Sequence, residues 1–125
     1  MFDTPERLAL ADAMRQFVSR EILPQLPAWE RAGEIPRDVH ARLAKAGLYG
    51  IGFAEEHGGD GGDAIDTVVA TEAFLEAGGS SGAHAALFTH GIALPHIIAS
   101  GDSGLIDRFV RPALAGERIG ALGIT

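Results

Sequence analysis

A chain of 125 residues with a formal net charge of −7 and no cysteine suits one domain with a real core, and it excludes disulfides, thiolate zinc sites and cysteine nucleophiles. From Ala46 to Asp107 there are nine acids and neither Lys nor Arg, so nucleic acid or an anionic membrane would be repelled by the whole middle section. Charges at Asp3, Glu6, Arg7, Asp12, Arg15 and Arg20 argue against a signal or transit peptide, and with the lack of cysteine they make a cytoplasmic location the expectation.

The first helix is expected to open at Asp3 or Thr4, where an oxygen cap precedes Pro5 and Glu6. Leu8, Ala11, Met14, Phe17 and Val18 then recur at spacings of three and four, which carries the helix to about Ile22 before Pro24 and Pro27 end it. Leu26 to Ile35 reads as a linker holding the only tryptophan, Trp29, over the edge of the core. A second helix begins near Pro36, presents Val39, Leu43 and Ala46, and stops at Gly47. Leu48 to Phe53 is short, apolar and punctuated by glycine, and AEEHGGDGGD after it is a loop. Asp63 is the expected cap of a helix to Ala77 with Ile65, Val68, Val69, Phe74 and Leu75 as its apolar side.

Ala77 to Gly101 runs for 25 residues without an Asp, Glu, Lys or Arg. Its apolar residues fall on every face of a helix, so it is expected to be enclosed by the rest of the fold, and Pro95 is expected to kink or break it. Three histidines, Ser, Thr and Pro95 interrupt the run, which argues against a membrane span of about 20 mainly apolar residues. Asp102 or Ser103 opens a last helix with Leu105, Ile106, Phe109 and Val110, its final turn divided by Pro112. No run alternates as a strand does, so the fold class is all-α, an up-down bundle-like domain of about five helices over residues 1–121.

Several patterns look chemical. Gly78, Ser80 and Gly82 spell a nucleophile elbow, but that motif needs a strand before its serine, and here the preceding segment has helical periodicity. His84, His90 and His96 are six apart, which turns each by about 240° from the last and keeps them from sharing a metal on one straight helix. The expectation is therefore core histidines and no metal site. Asp60, Asp63 and Asp66 lack the spacing of a calcium loop, the glycines from Gly50 to Gly62 do not form a dinucleotide fingerprint, and Glu55 with Glu56 reads as an exposed pair.

The order of the pieces resembles a known family. RQFVSREILPQ closes the first helix, LAKAGLYGIG follows the second, FAEEHGGDGGD leads into TVVATEAFLEAG, and HIIASGD precedes RFVRPALAGERIGALGIT. In that order they resemble the N-terminal helical domain of the acyl-CoA dehydrogenases, over essentially the whole chain. The resemblance implies FAD held between a helical N-terminal domain, a middle β domain that Leu122 to Thr125 would begin, and a C-terminal helical domain. It implies oxidation of an acyl-CoA thioester to the trans-2-enoyl form in fatty acid β-oxidation, a Glu base taking the α proton and flavin N5 accepting a hydride from the β carbon.

Carried over by position, Ala83, His84, Leu87 and Phe88 would line the acyl channel, and Leu122, Ile124 and Thr125 would meet the flavin, with no catalytic residue in this chain. An electron-acceptor flavoprotein and a homotetramer or dimer are implied as partners. Ala54 stands where the family commonly has proline, and His84 brings a polar group into the channel, which points to a smaller or more polar acyl group. Two other readings of the same residues stay open: a flavin oxidase or monooxygenase on the same fold, and a non-catalytic helical module that docks a partner.

Overall fold

The computed structural model describes residues 2–125, and it is helical as expected. Helix α1 (Pro5–Phe17) is capped by Thr4, whose hydroxyl oxygen accepts the Arg7 N–H at 3.2 Å. It widens into a π turn at Val18–Ile22, in which the Leu23 N–H reaches five residues back to the Val18 carbonyl. The last helical run repeats the device: α7 (Ser103–Leu105) passes through a π segment, Ile106–Val110, into α8 (Arg111–Leu114), and the Arg111 N–H donates to the Ile106 carbonyl. Each wide turn stands just ahead of a proline, Pro24 or Pro112, whose ring crowds the carbonyl four residues back. The wider turn gives that ring room, so Pro112 lies inside the run.

The stretch expected as a linker is a helix, α2 (Leu26–Ala32). Pro27 occupies its first turn, where no N–H is required, and Gly33 at φ 73° closes it. Trp29 is buried in the main core. Helix α3 (Asp38–Lys45) starts two residues beyond Pro36, buries Val39, His40 and Leu43, and gives way at Gly47 with φ 73°.

The segment after Gly47 is folded back on itself. The Gly52 N–H donates to the Gly61 carbonyl and the Gly61 N–H to the Phe53 carbonyl, both at 2.8 Å, with a short 3₁₀ turn at Glu55–His57 between them. The Arg111 guanidinium donates to the Glu56 carbonyl and moors that turn to α8. Gly59 lies so close to Phe53 that a Cβ there would stand 2.2 Å from the Phe53 carbonyl oxygen, so no other residue fits without moving backbone.

Helix α4 (Ala64–Glu76) carries a reciprocal cap, the Asp63 carboxylate accepting from Ile65 and Asp66 while Asp66 accepts from the Asp63 N–H. Arg7 donates to Asp66 at 2.8 Å, and Arg15 reaches Glu76 at 3.0 Å from the other end of α1. Helices α1 and α4 therefore run side by side in the same direction. The face that α4 buries is only partly the one expected: Phe74 is fully buried and Val69 packs against the core as expected, Ala70 and Ala73 also go inward, but Val68 is 54 % exposed and Leu75 is exposed too. The helix is apolar nearly all round, so periodicity could not choose a face, and small alanines permit close approach to α1.

The charge-free segment forms two helices, α5 (Ser81–Leu87) and α6 (His90–Ala99), broken at Phe88 and Thr89 instead of at Pro95. Pro95 lies inside α6, one turn beyond Gly91 on the same face; both are exposed, so water can reach the carbonyl that the proline leaves without a donor. Nor is the segment enclosed: Ile92 is 62 % exposed, and Ala85, Ala86 and His96 face outward. Its buried members are Ala83 and Leu87 in the main core with α1 to α4, His90, and Leu94 in a second core with Ile106, Val110, Ala113 and Leu114.

Substituting Gly59→Ala should lower the urea midpoint by an amount equivalent to about 1–3 kcal/mol, the usual cost of overpacking. Gly82→Ala, where an added Cβ meets nothing within 4 Å, should raise it by about 0.5–1 kcal/mol through helix propensity.

Candidate functional site

A cavity of about 430 Å³, open on one side, lies between the two long helices and the charge-free segment. Ala64, Thr67, Ala70 and Thr71 form one wall from a single face of α4, and Met14 of α1 adjoins them. The floor comes from Leu48, Tyr49, Ile51, Gly52 and Phe53, and the far wall from His84, Phe88, His90, Gly91 and Pro95. None of these residues is Asp, Glu, Lys or Arg.

Tyr49 ties that wall to α3. Its ring lies 3.9 Å from that of His90 between centroids, and its hydroxyl meets His40 Nδ1 at 2.9 Å. His90 Nε2 donates to the Tyr49 carbonyl at 2.7 Å, which fixes the tautomer and leaves Nδ1 as a buried acceptor without a hydrogen-bond partner. Burial pushes the Tyr49 hydroxyl up to about 12, so it stays protonated. Burial also makes His40, His84 and His90 less basic; the Arg37 guanidinium adds to the effect at His40, and the Tyr49 carbonyl opposes it at His90. His84 stacks on Phe88 at 4.8 Å and 27°, with the Phe74 ring edge-on at 5.2 Å.

The residues predicted to line a channel divide. His84 and Phe88 line the cavity; Leu87 is fully buried in the main core, and Ala83 is buried beside a smaller hollow of about 200 Å³ near Trp29. Leu122, Ile124 and Thr125 lie in an exposed tail without regular structure, Ile124 being 83 % exposed. Upstream of them, a Cβ on Gly120 would sit 3.5 Å from His90 Cα, so the tail passes close to the start of α6.

The backbone groups of this tail are uncovered, so they would be free to meet the edge of a flat heterocycle that offers alternating donors and acceptors. The tail includes no cation for a diphosphate, so the fit is to a ring edge alone. Ser80 is no nucleophile at an elbow: it follows a helix, accepts the Ala83 N–H at 3.1 Å and donates to Glu30 at 2.9 Å. Among the described residues no group of three or more His, Asp or Glu is placed to hold a metal ion, and no helix is long and apolar enough to cross a membrane.

Tyr49, Phe53 and the α4 wall were not singled out from sequence; the small residues Ala64, Thr67, Ala70 and Thr71, spaced along one helix face, were the available signal.

The family described as acyl-CoA dehydrogenase, N-terminal domain, matches residues 4–117. The chain belongs to the acyl-CoA dehydrogenase family. A crystal structure of a probable acyl-CoA dehydrogenase from Mycobacterium abscessus superimposes with a TM-score of 0.93 at 61 % identity, over 95 % of this chain and 32 % of that one. The mitochondrial long-chain specific acyl-CoA dehydrogenase of Mus musculus is 36 % identical over 91 % of this chain and 26 % of its own length. The probable acyl-CoA dehydrogenase YngJ of Bacillus subtilis is 29 % identical over 98 % of this chain and 32 % of its own. The chain thus spans about a quarter to a third of the length of these family members.

Tyr49→Phe should cost about 1–3 kcal/mol in urea unfolding, because His40 Nδ1 loses its partner in a buried place. Because the fold keeps His40, His84 and His90 neutral, the unfolded chain binds more protons below roughly pH 6.5. Stability should therefore fall as pH drops from ~7 to ~5, well before Asp66, whose carboxyl is held low by the Asp63 N–H and Arg7, begins to protonate. A urea midpoint flat across that window would contradict neutral buried rings.

Proposed function

We propose that this chain is the N-terminal domain of an FAD-dependent acyl-CoA dehydrogenase that converts an acyl-CoA thioester to the trans-2-enoyl-CoA. The observation that carries the reading is the uncharged cavity of about 430 Å³ beside the start of α6, in the size range of small-molecule sites. His84 and Phe88 form its far wall, the small face of α4 lets a chain pass, and Tyr49 with Phe53 closes the floor. Ala83 and Leu87 act behind the wall by holding α5 in the core.

Removal of an α proton needs a positioned base and stabilisation of the enolate-like oxygen. No carboxylate or cation lines this cavity, so in this reading both come from sequence beyond these residues. FAD, when bound, supplies the two-electron acceptor. Leu122, Ile124 and Thr125 would meet the edge of its ring through backbone and hydroxyl, at the start of the middle β domain. The exposed faces around Ile92, Val68 and Leu75 would pack against the other domains. Acyl-CoA, an electron-acceptor flavoprotein and sister subunits in a tetramer or dimer are the partners of this reading, in a cytoplasmic β-oxidation pathway.

Expressed from its complete gene, the protein should be yellow and should bleach when an acyl-CoA is added without oxygen. A colourless protein, or a flavin that no acyl-CoA reduces, would overturn the proposal.

A further inference from the structure

We propose that His84 selects an acyl group bearing an uncharged hydrogen-bonding substituent, a hydroxyl or a ketone, over a plain alkyl chain of the same length. This rests on the reading of the cavity as the acyl site.

The His84 ring is held in place by Phe88 on its face and Phe74 at its edge, and it lines the cavity half-buried. Its ring nitrogens make no hydrogen bond among the described residues, and burial makes the ring less basic, so it is a neutral imidazole with one donor and one acceptor still to satisfy. Elsewhere on the cavity lining, the Thr67 hydroxyl donates to the Asp63 carbonyl at 3.2 Å and the Thr71 hydroxyl to the Thr67 carbonyl at 2.9 Å. Both hydroxyl protons are committed to α4, and both oxygens keep lone pairs. The wall thus presents a donor and an acceptor at His84 and acceptors at the two threonines.

An alkyl chain laid over these groups would take water from them and return no hydrogen bond. A hydroxyl can answer His84 in either direction and can donate to a threonine oxygen; a ketone can accept from His84. A carboxylate is disfavoured, because no cation lines the cavity and no Lys or Arg occurs between Ala46 and Asp107. Discrimination built on hydrogen bonding to a substrate group exceeds what one methylene supplies in an apolar slot.

The test uses the flavin-loaded protein expressed from its complete gene. Its probes are a straight-chain acyl-CoA, acyl-CoAs of equal length with one hydroxyl or ketone distal to the thioester, and a dicarboxylyl-CoA. Equilibrium binding of the corresponding non-reactive CoA thioethers is measured beside kcat/KM. The hydroxylated or keto compounds should bind about tenfold or more tightly than the plain chain, and the dicarboxylyl compound should bind worst. His84→Phe, which keeps a stacked ring, should abolish the preference, and His84→Gln should restore most of it.

Equal or tighter binding of the plain chain by the unaltered protein would overturn the inference while leaving the acyl-CoA reading standing, and needs no variant to fold. So would a preference unchanged in His84→Phe. Failure of every acyl-CoA to bind would overturn the acyl-CoA reading itself and this inference with it.

Discussion

Both ends of Tyr49 are committed. Its hydroxyl meets His40 on α3, its carbonyl accepts from His90 at the start of α6, and its ring packs against His90 and Phe88. One residue in a glycine-punctuated segment therefore sets the distance between α3 and the helix pair α5 and α6. The floor and the far wall of the cavity stand where they do because of it. The partnership also decides protonation, since a charged imidazole at either position would be stranded in an apolar core among rings.

The second constraint is the parallel pair α1 and α4. Ala11 on one helix and Ala70 and Ala73 on the other are buried, while Arg7 with Asp66 and Arg15 with Glu76 mark the two ends. The exposed pair at Arg15 adds little energy, whereas the partly buried pair at Arg7 also completes the cap of α4. Register along the helices thus fixes which small side chains of α4 face the cavity.

Local chemistry was legible in the sequence. Thr4, Asp63 and Asp102 cap the helices they are expected or allowed to cap, and Gly47 closes its helix, because a cap depends on neighbours within a few residues. What depended on distant contacts was not legible. Pro27 looks the same at a helix end as in a first turn, so the local pattern does not separate α2 from a linker. Pro95 drew the expected break away from Phe88 and Thr89, although an exposed Gly91 makes a proline tolerable inside α6. Of the site, His84 and Phe88 are reached only through the family resemblance, since their own pattern in the charge-free stretch points to the core. Tyr49, Phe53, Thr67 and Thr71 join them only through folding, from segments whose own patterns mark a loop and an ordinary helix.

The three histidines of the charge-free segment show how one residue type takes different parts according to burial. His96 is exposed; His90 is enclosed, with one nitrogen bonded and the other an orphaned acceptor; His84 is half-buried on the cavity wall. A wall made of neutral imidazole, hydroxyl and phenyl groups can sort ligands by shape and by uncharged hydrogen bonds, but it cannot neutralise charge. Negative charge developing on any ligand oxygen in the cavity, such as the thioester oxygen of the proposed reaction, would find no cation here, and the nine acids of the middle section would oppose it. On the proposed acyl-CoA reading a physical division of labour follows: these residues would sort the acyl group, and stabilisation of the reacting centre would come from outside them.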